Sequence, residues 1–195
     1  MLWRIFRIIG GFFLDIIETA VFALAIFVLV YVFLAQPHQV SGRSMVPTFQ
    51  DGEFVLTNKM AYRRGEPERG DVVIFHAPAN AHCPPGGACD FIKRIIGLPG
   101  ETVSVRGGKV LINSQELAEE YLPPEFVTRG DTYLQEGSMV TLQANQYFMM
   151  GDNRPGSSDS RAFGPVPVES IVGRAWIRYW PVSKLGVIEH VAYAN

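Results

Sequence analysis

Between residues 19 and 35 the chain reads TAVFALAIFVLVYVFLA, apolar on every side and uncharged. Ile16, Ile17 and Glu18 extend this to residues 16–35, with one charge near the start. At about 1.5 Å per residue such a helix covers roughly 30 Å, the hydrocarbon thickness of a bilayer. Lipid offers an open backbone no hydrogen-bond partner, so the predicted element is a helix, and Pro37 suits its end. A removable signal would have a shorter apolar core, about 7–15 residues, followed by a small-x-small site. Here Phe33 occupies the first small position. A core helix apolar on all sides would be unusual in a domain this small. An uncleaved anchor is the favoured reading. Arg4 and Arg7 lie in the short leading flank, so the N-terminus is expected in the cytoplasm and everything after Ala35 outside. Residues 3–14, mostly apolar around Gly10 and Gly11, predict an interfacial helix or an extension of the span.

Beyond the span the pattern changes to short apolar or alternating runs bounded by turn residues, which predict strands. Residues 52–57, 71–75, 91–96, 146–150 and 170–179 are such runs. Gly97-Leu98-Pro99-Gly100 reads as a turn. Residues 103–112 read as a hairpin with Gly107-Gly108 at its tip. Residues 116–131, containing Pro123-Pro124, have weak periodicity and predict a loop or cap, within a small insert around residues 104–140. The expected organisation is an N-terminal flank and anchor, residues 1–35, then one β-rich domain, residues 36–195.

Composition agrees: 195 residues, 48% apolar, suffice for one cored domain plus one extra segment. The net charge is −2 with scattered basic residues, so neither a nucleic-acid surface nor an acidic tail is indicated. No repeat, phosphate loop or nucleotide fingerprint is present. Cys83 and Cys89 lie in a Pro/Gly-rich stretch and admit three readings. They form a small disulfide, remain free thiols, or join His82 and Asp90 around a metal, although the spacing matches no zinc pattern.

A serine nucleophile needs a base. The four histidines, His38, His76, His82 and His190, sit in no histidine-protease signature, and there is no G-x-S-x-G elbow. Lysine serves only if desolvated, since its ordinary pKa is about 10.4. One lysine lies in an apolar strand, Phe91-Ile92-Lys93-Arg94-Ile95-Ile96. Alternation puts Lys93 and Arg94 on opposite faces without saying which points inward. Lysine can lose its proton when desolvated and arginine does not, which favours Lys93 as the chemical group. By itself it would read as a strand-edge charge turned outward. The serine candidate is Ser44, in Ser41-Gly42-Arg43-Ser44-Met45-Val46-Pro47, where Gly42 permits a tight backbone approach.

Four segments in order resemble type I signal peptidases, the membrane-bound proteases that remove signal peptides from exported proteins. Ser44-Met45-Val46-Pro47-Thr48-Phe49 is similar to the nucleophile box, and Arg69-Gly70-Asp71-Val72-Val73-Ile74-Phe75 to the strand box after it. Lys93-Arg94-Ile95-Ile96-Gly97-Leu98-Pro99-Gly100-Glu101 is similar to the lysine box. The run from Gly151-Asp152-Asn153-Arg154 to Ser157-Ser158-Asp159-Ser160-Arg161 is similar to the last box. The resemblance implies a mainly β, antiparallel, barrel-like catalytic domain behind one transmembrane helix. It implies Ser44 as nucleophile, Lys93 as general base, and Ser157 as a hydrogen-bond partner of the lysine amine. Asp159 and Arg161 match a structural ion pair, and the Ser44 N–H a donor to the oxyanion. Some members carry a serine where this chain has Gly42, so the second donor falls to a loop N–H, a water or Ser41. Asp152 and Asn153 are expected to shape the loop. Met45, with Val46 and Phe49, either packs or dips into the lipid interface.

The implied reaction is acyl transfer on secretory preproteins, after small residues at −3 and −1, with no cofactor and no metal. The expected enzyme is a monomer in the bacterial plasma membrane, with the lipid bilayer and the preprotein's signal region as its partners. A self-cleaving repressor with serine–lysine chemistry would need a DNA-binding domain in place of an anchor. A non-catalytic tethered β module would not need Ser44 and Lys93.

Overall fold

The structure is a computed structural model that describes residues 2–63, 65–83, 89–191 and 193. The apolar leading segment is one helix, α1 (Leu2–Phe33), so residues 3–14 and the apolar run after them form a single continuous helix. Its part Gly10–Phe33 is long and apolar enough to cross a membrane, and its most apolar window is 0% buried against the rest of the protein. In chain order there follow β1 (Ala35–Gln39), β2 (Phe54–Asn58), β3 (Val72–His76), β4 (Asp90–Gly97), β5 (Thr102–Arg106), β6 (Lys109–Ile112) and β7 (Gln115–Glu116). Then come β8 (Met139–Thr141), β9 (Gln146–Met150), α2 (Ser160–Phe163), β10 (Val166–Pro167), β11 (Ile171–Trp180) and β12 (Gly186–Val187).

Two antiparallel sheets result. The larger has the order β1-β2-β11-β3-β4-β9-β10 with β12 on β11, and the smaller β7-β6-β5-β8. The mainly β architecture is the expected one. In a flat sheet β1 and β4, four strands apart in that order, would be separated by roughly 19 Å at about 4.8 Å per strand. Instead His38 of β1 comes within 3.5 Å of Asp90 of β4. The sheet is therefore curled on itself, and a groove lies between these two strands.

Period-2 side-chain placement builds the core. On β3, Val72 and Ile74 pack with Val40, Met45, Phe49 and Val55, while Val73 and Phe75 pack with Ile95, Met149 and Phe163. Met45 and Phe49 are fully buried there, so the packing reading holds for them and the lipid-dipping one does not. The β5–β6 hairpin turns on Gly107 and Gly108, both at positive φ as a tight primed turn requires. Strand β1 lies outside the strand pattern of the sequence because AQPHQ is polar and contains proline. An edge strand paired on one side tolerates both. Cys83 and Cys89 form a disulfide at the end of the β3–β4 connection, which selects one of the three readings of that pair.

Candidate active site

Both basic residues of β4 are buried, because the curled sheet is covered on each face there. Lys93 and Arg94 keep 4% and 1% of their surface exposed. Lys93 points into the groove. Its Nζ lies 2.8 Å from Ser44 Oγ and 3.0 Å from the Ile92 carbonyl oxygen, and 5.0 Å from the centroid of the Phe91 ring. Among the described residues no carboxylate contacts it. Desolvation lowers its pKa from 10.5 to about 8, against a partial upward pull from the more distant Asp159 and Asp152.

Ser44 begins a turn held from two sides. Beneath it, Met45 and Phe49 are core side chains, and the Phe49 N–H donates to the Met45 carbonyl at 2.9 Å. Across it, the Asn153 N–H donates to the Ser44 carbonyl at 3.0 Å and Asn153 Nδ2 to the Arg43 carbonyl at 2.9 Å. The loop carrying Asn153 is anchored by Asp152. That carboxylate accepts from Arg94 Nε and Nη2 at 2.9 and 2.7 Å and from the Thr48 hydroxyl at 2.5 Å. Arg94 also donates to the Gly70 carbonyl and stacks 4.5 Å from the Tyr121 ring. One ion pair thus ties the strand of Lys93, the turn of Ser44 and the Asp152 loop together.

A second pair lies behind the first. Asp159 accepts from Arg161 Nε and Nη2 at 2.8 and 2.7 Å and from the Gly151 N–H at 3.1 Å, with both side chains buried. A cleft of about 260 Å³ opens beside Ser44 and Lys93, lined by His38–Ser41 on one side and Asp90–Lys93 on the other. Each side is an unused strand edge. β1 pairs only with β2, and β9 joins β4 only from Arg94 onward.

The sequence pattern of the family described as signal peptidase, peptidase S26, matches residues 13–180. The chain belongs to that family. Signal peptidase I of Leptolyngbya laminosa is 39% identical over 79% of this chain and 73% of its own length. The probable signal peptidase I-2 of Synechocystis is 37% identical over 90% and 77%, and signal peptidase IB of Staphylococcus aureus 32% over 87% and 92%. A crystal structure of a signal peptidase I from Enterococcus faecalis is 34% identical, with a TM-score of 0.44 covering 56% of this chain and 96% of that one. The protein is a signal peptidase enzyme.

Within this family member the expected site residues are placed unequally. Ser44 and Lys93 are in contact, and Asp159 pairs with Arg161. Ser157 departs from expectation. Its Oγ is buried but makes no hydrogen bond, to Lys93 or to any other described residue. The Lys93 amine is satisfied instead by Ser44 and the Ile92 carbonyl. Gly42 also differs in its role. Nothing approaches within 4 Å of where its Cβ would stand, so close approach is not its purpose. It supplies a φ of +87° at the entry to the turn, and its N–H donates to Asp51 Oδ1 at 2.7 Å.

Two contributors escaped the sequence reading. Alternation left the face of Arg94 open, and its partner, Asp152, lies 58 positions along the chain. Gly151 appeared only as a motif letter. A Cβ there would collide with the Ser157 side chain and the Ser44 carbonyl oxygen, so only glycine lets this loop close on the turn of Ser44.

Proposed function

We propose that this signal peptidase is a membrane-anchored serine endopeptidase in which Ser44 attacks and neutral Lys93 takes its proton. The observation that carries the reading is the 2.8 Å separation of Lys93 Nζ and Ser44 Oγ, with the amine buried and in no ion pair among the described residues. The Ser44 hydroxyl loses its proton to the amine as Oγ bonds to the scissile carbonyl carbon. The Ser44 N–H has no partner among the described residues and is free to donate to the oxyanion. The ammonium then protonates the leaving amine, and water activated by the same lysine hydrolyses the ester. The buried Ser157 hydroxyl, unpaired here, is available to the lysine once Ser44 is acylated.

The substrate is a preprotein entering as an extended strand between the free edges of β1 and β4. Small residues at −1 and −3 fit a groove only about 260 Å³ in volume. Residues 1–35 anchor the enzyme with its N-terminus cytoplasmic. Residues 36–195 work outside, with Ser44 nine positions beyond Ala35. The test is cleavage of a preprotein by the full chain in proteoliposomes. The parent releases a mature N-terminus after a small residue and Ser44→Ala does not. Equal cleavage by both would remove the assignment.

A further inference from the structure

The loop that carries Asp152, Asn153 and Ser157 is held by two buried arginines, and one side chain touches both. Arg94 grips the loop through the Asp152 carboxylate. Arg154 grips it from within, its Nε donating to the Gly151 carbonyl at 3.1 Å. Each arginine keeps only 1% of its surface exposed. The residue that meets both is Tyr121, in the connection from β7 to β8 that the sequence pattern marks as a loop or cap. Its ring lies 4.5 Å from the Arg94 guanidinium carbon. Its hydroxyl accepts from Arg154 Nη2 at 3.0 Å and from the Tyr193 hydroxyl at 3.2 Å, and donates to Glu119 Oε1 at 3.2 Å. Burial pushes the phenol pKa up, so the donated proton is kept. Glu119 in turn accepts from both terminal nitrogens of Arg154. The Tyr121 hydroxyl has one proton to give and two lone pairs to receive, and all three are used.

We propose that Tyr121 is a positioning residue for the cleavage reaction, clamping Arg94 and Arg154 on the Asp152 loop and so fixing where Asn153 holds Ser44. The inference rests on the reading of Ser44 and Lys93 as the reacting pair. Tyr121 is not among the residues that line the groove beside them, so it acts through others. Its ring covers the Arg94 guanidinium, and a cation over an aromatic face is held more firmly when water is excluded. Its hydroxyl fixes the planar fork of Arg154, whose Nε sets the Gly151 carbonyl. Two residues further on, the Asn153 N–H donates to the Ser44 carbonyl at 3.0 Å. A side chain that only filled space would need its ring alone. Here two of the three hydroxyl bonds go to the members of the Glu119–Arg154 ion pair. A buried network without spare capacity holds one arrangement, and reactivity is steep in geometry: a displacement of about 1 Å costs about 10²-fold in rate.

The experiment uses the full chain in detergent micelles and a peptide spanning a preprotein cleavage site. The readouts are KM and kcat per folded enzyme, with the folded fraction taken from tryptophan fluorescence. Tyr121→Phe keeps the ring on Arg94 and removes the hydroxyl, whereas Tyr121→Leu removes both. The expected kcat falls about threefold in Tyr121→Phe and about 30-fold in Tyr121→Leu, with KM within about twofold of the parent in each. A space-filling role would lower only the folded fraction and leave kcat per folded enzyme unchanged. Parental kcat per folded enzyme in Tyr121→Phe therefore overturns the proposal, as does a KM that rises while kcat holds. The Tyr121→Phe result decides even where Tyr121→Leu fails to fold. Cleavage that needs Ser44 but ignores both Tyr121 variants sinks this inference alone, while cleavage surviving Ser44→Ala sinks the reading beneath it.

Discussion

Lys93 and Arg94 are consecutive on one strand, almost equally buried, and opposite in electrostatic state. Arg94 meets a carboxylate held for it, with two hydrogen bonds to Asp152, and burial leaves it charged. Lys93 meets a hydroxyl, a carbonyl and an aromatic ring, and the same burial drives its pKa down to about 8. Burial alone does not set the protonation state of a cation. What decides it is whether an anion is buried alongside. One residue step separates a paired cation from an amine with a lowered pKa, because alternation sends the two side chains to different faces with different partners.

The largest expected effect is on activity. Ser44→Ala and Lys93→Met should each lower kcat/KM on a preprotein by about 10³-fold or more, since neither group works without the other. If Lys93→Met retained more than a tenth of the parental rate, the buried amine would not be the base. Stability should respond the other way round. Arg94→Met strands the Asp152 carboxylate in the interior and should cost about 3–5 kcal/mol in denaturant unfolding of the full chain in micelles. A cost below about 1 kcal/mol would mean that the pair does not hold the turn of Ser44.

Lys93→Met should instead stabilise the fold at neutral pH. The folded pKa, about 8, lies below the unfolded 10.5, so the unfolded chain binds the proton more readily between those values. The parent's stability therefore rises with pH across that window and is lowest below it. The variant's advantage should be about 3 kcal/mol below pH 8 and should vanish above pH 10.5. Activity follows the same group: kcat/KM should fall about tenfold per unit as pH drops below 8, with an apparent pKa near that value. A profile flat down to about pH 5 would contradict a desolvated base. The smallest effect belongs to Gly42→Ala, which forces a side chain into a φ of +87° in open space and should cost about 1 kcal/mol.

These residues also divide what the sequence by itself determined from what the folded chain decided. The span, the strands with clean alternation and the glycine hairpin were legible because each depends on neighbours a few positions away. So was the meeting of Ser44 with Lys93, through four boxes in a fixed order. The edge strand β1 was not, because its place depends on pairing with β2 rather than on its own polar composition. The partner of Arg94, the steric need for Gly151 and the approach of His38 to Asp90 were likewise invisible. Each is set by a residue tens of positions away that only the curling of the sheet brings into contact. Hydrophobic periodicity is a local property and can be read in one dimension. The electrostatic state of a buried side chain depends on everything packed around it, and the tertiary structure alone supplies that.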